Sequence, residues 1–226
     1  MGDLLVRSPL KENQKHAMKY KELKMRTLCL TFFLFSFLVV NGQSSIKNFN
    51  QESVVWLGVD FSLGKFIGTE EFKDLQKIKD HYFTEWNSLT VRESKTDIET
   101  AFKLSNMKVN IDNVIDNNNK IKITKYVQNE SHRIKEEEIQ AAIKAYNFEG
   151  IDQEVGLSFF VEFFNKPMAS GSIWVALTDI KSKEVFFTKQ IDAIASGVGF
   201  RNYWQRVIKE TIASCKSNFK KWRKGK

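Results

Sequence analysis

The stretch IASGVGFRNYWQRVIKE, residues 194–210, carries the residue types that come closest to a binding site. Gly197 and Gly199 precede Arg201 and a segment with a helical pattern. A glycine turn that leads into a helix N-terminus can present backbone N–H groups to an anion, and an arginine adds a bidentate contact. The same glycines suit a structural hinge, since they supply a positive φ where the chain leaves a strand. The motif is shorter than a nucleotide fingerprint, so the hinge is favoured and the anion site is the alternative.

Two acidic residues offer carboxylate chemistry. Asp60 ends a predicted strand, and the ends of strands often border ligand clefts. Glu162 lies on a later strand, from which it can face Asp60 across the sheet. A solvated strand edge explains both acids without a function, so no catalytic residue is assigned. Together with Gly197, Gly199 and Arg201, Asp60 forms the candidate site for a small anionic ligand.

Metal binding and nucleophilic catalysis find little support in the sequence. His81 and His132 are far apart and have no second ligand at helical spacing, so no zinc signature is present. Cys215 falls on the apolar stripe of the last predicted helix, which favours a buried structural thiol over a reactive one. We therefore expect no metal, no cofactor and no enzymatic activity.

The last part of the chain is basic and predicts a charged helix end. No acidic residue follows Glu210. The basic surface residues are Lys216, Lys220, Lys221, Arg223 and Lys224. Cations at a helix C-terminus complement the helix dipole. The alternative is weak contact with an anionic membrane surface, to which Trp222, among these charges, would contribute.

The N-terminal region has the layout of a secretory signal peptide. Basic residues precede the 14-residue apolar run Thr27–Val40, and small residues follow it. The run is shorter than the roughly 20 residues that span a bilayer, which favours cleavage over the alternative of a transmembrane anchor. We place the signal peptide at about residues 18–42 and the mature N-terminus at about Gln43. The Gly-Gln cut resembles signal peptides of the Bacteroidetes group, and the predicted location is periplasmic or secreted.

The net charge of +8 overstates the basic character of the mature chain. Residues 43–226 carry 28 Lys and Arg against 24 Asp and Glu, and most of these charges are interspersed. An exported chain with this pattern is a poor match to a nucleic-acid-binding protein. We therefore expect no nucleic-acid partner.

The hydrophobic pattern predicts an α/β (α+β) fold in residues 43–226, a single domain that follows residues 1–42. Strands are expected at 53–62 and 107–116, and three strands within 154–192 are close enough for an antiparallel meander. Helices are expected from Thr69 to about Leu89, at 97–104, at 133–147 and at about 200–222. The order is β-α-(α)-β-α-β-β-β-α, with helices packed on a single sheet that contains the C-terminal three-stranded meander.

A resemblance to known envelope domains rests on three stretches. The strand with GVDFS, the mid-chain helix and the hairpin IWVALTDIKSKEVFF resemble the α/β domain of TolB N-terminal domains, curli-secretion lipoproteins and lipoprotein activators of penicillin-binding proteins. Asp179, Lys181, Glu184 and Val185 match the hairpin. The stretch GFRNYWQ is similar to a group of uncharacterised secreted Bacteroidetes proteins. The resemblance implies an accessory domain of the cell envelope.

These observations predict a secreted or periplasmic accessory or interaction module without catalysis. Its expected partner is an envelope protein. The alternative function is a binder of, or an enzyme on, a small anionic ligand at the turn from Gly197 to Arg201.

Overall fold

The computed structural model describes Ile46 and residues 49–225. These residues belong to one compact unit, Gln43–Lys226. The predicted signal peptide, its cleavage before Gln43 and the separate region 1–42 lie outside the described residues.

Two parallel strands form the centre of the sheet. β1, Val54–Asp60, is buried at all seven positions, and β5, Val155–Asn165, is buried over its first eight. The pairing begins at Val54 opposite Val155 and ends at Asp60 opposite Phe160. Strands that are apolar on both faces require cover on both sides of the sheet.

Short strands extend this pair into a mixed sheet of seven strands. The remaining strands are β2 Lys65–Ile67, β3 Lys108–Val109, β4 Val127–Gln128, β6 Ser170–Asp179 and β7 Val185–Ile194. β3 pairs with β1, β2 pairs with the last residues of β5, and β4 pairs with β2, all in parallel. β6 pairs antiparallel with β5, and β7 pairs antiparallel with β6.

The predicted fold class is wrong in its element order and its sheet. Five of the strands are parallel, whereas the prediction built its sheet around an antiparallel meander. The antiparallel meander describes only part of the sheet. β5 pairs antiparallel with β6, and β6 with β7, but β5 also pairs in parallel with β1 and β2. The expected strand at 107–116 is reduced to β3, and the prediction omitted β2 and β4.

Four helical regions pack on the sheet. The first has an α segment Leu75–Lys77, a π segment Ile78–Tyr82 and an α segment Phe83–Phe102, which together are called α1. The others are α2 Asp112–Asn119, α3 Glu136–Lys144 and α4 Phe200–Trp222, with short 3₁₀ turns at Thr69–Glu71 and Ile123–Lys125. Every helix among the described residues is too short or too polar to span a bilayer.

The helices cover both faces of the sheet and create two apolar cores. α1 and α4 cover the larger one, in which Trp56, Phe159 and Phe164 meet Trp86 and Trp204. α2 and α3 cover the smaller core. Its buried apolar residues are Val55, Leu57, Val114, Ile134, Ile139, Ile143, Tyr146, Phe148, Phe160, Ala176 and Ile180. The two faces of β1 and β5 therefore belong to different cores.

The second half of β1 takes its remaining hydrogen bonds from side chains, because β3 pairs only with Val55 and Trp56. Asn87 of α1 accepts a hydrogen bond from the Val59 N–H (2.7 Å) and donates one to the Val59 carbonyl (2.9 Å). Asn118 of α2 accepts from the Phe61 N–H at 2.8 Å. Buried backbone groups are costly when unpaired, so these two asparagines replace a neighbouring strand.

Gly58 permits this arrangement. It follows an irregularity in the β1–β5 register and has a φ of 105°. A Cβ at this position would lie 2.4 Å from Val114 Cγ2 and 2.8 Å from Asn87 Oδ1. Glycine is therefore required both by the backbone conformation and by the close approach of α1 and α2.

We predict that Gly58→Ala lowers the free energy of unfolding by about 3 kcal/mol. The strain of a positive φ at alanine and the overlap of its Cβ with Val114 and Asn87 both contribute. Gly150→Ala is the matched control: Gly150 also has a positive φ of 75°, but nothing lies within 4 Å of the place that a Cβ would take there. The control should cost only about 1–2 kcal/mol. Denaturant unfolding measures both values, and equal losses would contradict the role of the close approach.

Candidate functional site

Asp60 is a buried part of the fold at the end of β1. Its side chain is fully buried and faces the smaller core. Oδ2 accepts a hydrogen bond from the Tyr146 hydroxyl at 2.6 Å and a longer one from Asn117 Nδ2 at 3.4 Å, and Oδ1 accepts from the Ser62 N–H at 2.6 Å. Three donors therefore hold this carboxylate in place, and the solvated strand edge considered from the sequence does not describe it.

Two tyrosines share the environment of Asp60. Burial raises the pKa of Tyr146 well above 10.0, and the nearby charge and hydrogen bond of Asp60 raise it further. Burial, followed by the charge of Asp60, also raises the pKa of Tyr126 well above 10.0. The Tyr126 hydroxyl donates to the Phe61 carbonyl at 2.6 Å. Both phenols are therefore protonated donors at neutral pH.

Glu162 is the second buried carboxylate, and the irregularity of β5 between Val161 and Phe163 gives it its position. Its Oε2 accepts from Gln190 Nε2 at 2.6 Å and from Arg133 Nη1 at 2.9 Å. Its Oε1 accepts from the Ile134 N–H at 3.0 Å and from Trp174 Nε1 at 3.3 Å. The carboxylate joins β5, β6, β7 and the segment before α3.

The sequence placed Asp60 and Glu162 on one sheet, and the structure shows that they bind separate sets of groups. Asp60 is opposite Phe160 in the parallel register, so the two side chains share a face of the sheet. Glu162 is two residues after Phe160 on β5 and therefore lies on the same face. The two carboxylates have no hydrogen-bond donor in common. Each has a structural role, and neither is presented to solvent.

The glycine turn precedes α4 and lies on the other side of the sheet from the Asp60 side chain. Gly197 has a φ of 122° and Gly199 a φ of 79°, as the hinge interpretation requires. Arg201 donates from Nε to Asn202 Oδ1 at 3.1 Å and contacts Glu85 Oε1 at 3.4 Å. Its carbonyl accepts from Trp86 Nε1 at 2.9 Å. Arg201 thus ties the start of α4 to α1, and it is not brought together with Asp60.

A cavity of about 240 Å³ adjoins the turn. Its lining includes Gly197, Gln205, Arg206, Lys209 and Glu93. Lys209 Nζ donates to Glu93 Oε2 at 2.9 Å, and this hydrogen bond lowers the pKa of Glu93. The Gln205 side chain donates to Thr90, while its buried Oε1 has no hydrogen-bond partner among the described residues. The cationic groups beside the turn are therefore those of Arg206 and Lys209, and Arg201 does not line the cavity.

The predicted basic residues occupy different environments at the end of α4. The side chains of Lys216, Lys220, Lys221 and Lys224 are exposed. Arg223 is half-buried, and its Nη1 donates to Gln51 Oε1 at 2.8 Å. The basic surface is therefore formed by the four lysines, while Arg223 also holds the helix to the chain before β1.

The histidines and the cysteine have local structural surroundings. His132 Nε2 lies 2.8 Å from the Leu63 carbonyl, and His81 stacks edge-on against Tyr82. Cys215 is buried, and its burial raises the pKa of the thiol far above its usual value. Across the part of the chain that the structure describes, no three His, Cys, Asp or Glu side chains gather into a metal site.

An exposed apolar cluster at one end of the sheet was not predicted. It consists of Met168, Ile194 and Val198, whose exposed fractions are 74%, 71% and 90%. Ile194 is opposite Ser170, and the Ala195 N–H donates to the Ala169 carbonyl at 2.8 Å, which keeps the two turns together. The one signal for this cluster in the sequence was Val198 between two glycines, because a valine in such a loop has no core to pack against. This group is called the apolar cluster below.

One residue of the apolar cluster, Ile194, also lines a groove beside β7. Among the described residues, β7 pairs with β6 alone. A groove of about 720 Å³ runs between the last residues of β7 and α4. Its lining includes Asp192, Ile194, Ala213, Ser214 and Ser217. A strand edge with a groove next to it is the geometry in which proteins accept extended peptide segments.

Comparisons with known proteins add little to this description. No protein-family model and no curated protein matches the chain. Solved structures similar to it include the hypothetical protein CT253 from Chlamydia trachomatis, with 10% identity and a TM-score of 0.35 over 77% of this chain and 99% of that one. They also include the LpoB C-terminal domain from Salmonella enterica, with 9% identity and a TM-score of 0.24 over 68% of this chain and 98% of that one.

The similarity to these structures is too low to carry an argument about fold or function. Nothing among the comparisons supports a relation to Bacteroidetes proteins.

We predict that Tyr146→Phe lowers the free energy of unfolding by about 1–3 kcal/mol at neutral pH, because a buried oxygen of Asp60 loses its shortest side-chain donor. The folded-state pKa of Tyr146 is raised, so its stabilising effect is complete below pH 10.0 and is lost as the pH rises above that value. The difference between wild type and variant should therefore shrink in alkaline solution.

Tyr203→Phe is the control, since the Tyr203 hydroxyl has no hydrogen bond to another described residue. It should change the unfolding free energy little at any pH. A Tyr146→Phe loss no larger than the control's, measured by denaturant titration, would show that the Asp60 bond does not stabilise the fold.

Proposed function

We propose that this protein is an exported, non-catalytic accessory module of the cell envelope that acts by binding another envelope protein. The apolar cluster of Met168, Ile194 and Val198 carries the proposal. Three large apolar side chains are exposed on the end of an edge strand and on the two turns beside it, and one of them, Ile194, lines a groove. Exposed apolar patches with polar surroundings are typical of protein–protein contacts.

The charges around the apolar cluster suit a specific contact. Asp192 of β7 lines the groove, and across it Arg206 forms an ion pair with Glu210. Charges at the rim of an interface favour one partner over others, while the apolar centre supplies most of the affinity. Lys189 and Asp192 also protect the edge of β7 against unspecific strand pairing.

Export is the second part of the proposal and rests on the sequence. The basic stretch, the apolar run Thr27–Val40 and the small residues that follow it form the expected leader. An envelope location places the apolar cluster where envelope proteins are its available partners.

The test is site-specific photo-crosslinking in native cell envelopes. A photoreactive residue at Val198 should give one adduct of discrete mass, and the same residue at exposed Glu137 on α3 should not. Ile194→Asp should weaken the adduct about tenfold or more, because one buried apolar side chain contributes about 1.5–3 kcal/mol. Its unfolding free energy should stay unchanged. Identical adducts at both positions, or none at Val198, would refute binding through the apolar cluster.

A small anionic ligand at the glycine turn is the second candidate function, and the cavity beside Gly197 favours it. Lys209 and Arg206 supply positive charge. The Gln205 Oε1, which has no hydrogen-bond partner among the described residues, can accept from a protonated oxygen of the ligand. A ligand in this cavity has to share Lys209 with Glu93. The structure gives Arg201 and Asp60 other partners, so the proposed contacts are those of the cavity.

Inorganic phosphate is the probe for this second candidate. It should raise the thermal unfolding midpoint relative to sodium chloride at the same ionic strength, and Lys209→Ala should abolish the rise. Arg201→Ala should retain it, and Lys181→Ala, an exposed lysine in the β6–β7 turn, serves as the control for charge alone. No phosphate-specific rise in the wild-type protein would remove this candidate.

A further inference from the structure

The C-terminal half of α4 and the turn that follows it present a cluster of lysines on their exposed side. The cluster consists of Lys216, Lys220, Lys221 and Lys224, all exposed, and it is called the basic end below. No acidic residue occurs in the sequence after Glu210. The helix C-terminus adds the negative end of its dipole here, and cations at this position are favourable.

The two halves of α4 differ in how their charges are compensated. In the first half, Arg201 pairs with Glu85, Arg206 with Glu210 and Lys209 with Glu93. In the second half, none of the lysines of the basic end forms an ion pair with a described residue. On the neighbouring end of α1, Glu99 is already bound to Lys95 and to the Met107 N–H. Positive charge therefore accumulates at this end of the helix.

The aromatic residues of this segment are not available to a partner. Trp222 is 9% exposed and packs on Phe187 with ring centroids 5.5 Å apart. Phe219 is buried against Phe49 and Phe102. The expectation that Trp222 joins a surface contact is therefore wrong, since its ring belongs to the core. Any contact at the basic end has to be electrostatic.

The chain enters the described domain at this same end. Phe49 packs on Phe219, and Gln51 accepts from Arg223 while it donates to the Phe102 carbonyl at 2.7 Å. The lysines of the basic end remain exposed beside this entry segment. Clusters of lysines near a membrane surface recognise anionic headgroups.

We propose that the basic end binds the surface of a membrane that contains anionic phospholipids. Four exposed lysines without acidic partners complement a layer of negative headgroups, and the lack of an exposed aromatic side chain makes the contact peripheral. This inference goes beyond the proposed function, because it uses a different surface from the apolar cluster. Each lysine near such a surface contributes about 1 kcal/mol, which is about a fivefold change in affinity.

The test compares the binding of the mature chain to vesicles of phosphatidylglycerol and phosphatidylcholine with its binding to vesicles of phosphatidylcholine alone. Binding to the anionic vesicles should fall steeply with salt. The combined variant Lys220→Gln, Lys221→Gln and Lys224→Gln should weaken binding about a hundredfold. The control variant Lys73→Gln, Lys77→Gln and Lys122→Gln removes the same charge from exposed positions elsewhere and should retain most of the binding.

Three results would overturn the proposal. The first is no preference for the anionic vesicles. The second is an equal loss in the two triple variants, which would show that net charge alone matters. The third is that soluble polyphosphate binds the basic end more tightly than the vesicles do, which would identify a free polyanion as the ligand. Each result is independent of the crosslink at Val198, so this proposal and the proposed function can fail separately.

Discussion

The hydrogen bonding of β1 is the constraint on which the rest of the structure depends. This strand is buried at every position, yet β3 pairs with only two of its residues. Asn87 and Asn118 supply the missing partners from α1 and α2, and Gly58 lets both helices approach. Because unpaired backbone groups cannot stay buried, the positions of these helices are determined by the strand that they complete.

The buried acids follow from the same constraint. Asp60 continues the polar network at the end of β1, where Tyr146 and Asn117 come from elements of the smaller core. Glu162 performs a similar role at the irregularity of β5, since one carboxylate accepts four hydrogen bonds from β6, β7 and the segment before α3. Removing either acid would leave one buried donor and several part-buried donors without this acceptor. The residues most suggestive of chemistry in the sequence therefore specify how the layers fit together.

The sequence predicted the long, strongly patterned elements, and it failed where tertiary contacts decide. β2 and β4 have three and two residues, too few for any periodicity to be visible. The segment 107–116 alternates like a strand, yet residues from Asp112 onward are helical, because Val114 packs on β1 and Asn118 bonds to it. No local pattern in the asparagine run 117–119 shows that the Asn118 amide completes a distant strand. Asp60 and Arg201 were grouped by residue type, and the sheet separates them.

The parallel pairing of β1 with β5 has a consequence for how the chain acquires its structure. Val54 pairs with Val155, so the first strand has no central partner until most of the chain is present. Closing so long a loop before its contacts form is slow, whereas the hairpins of β5, β6 and β7 close locally. When the chain is synthesised from its N-terminus, β1 therefore waits for its central partner, and the sheet is completed only after β5 has been made.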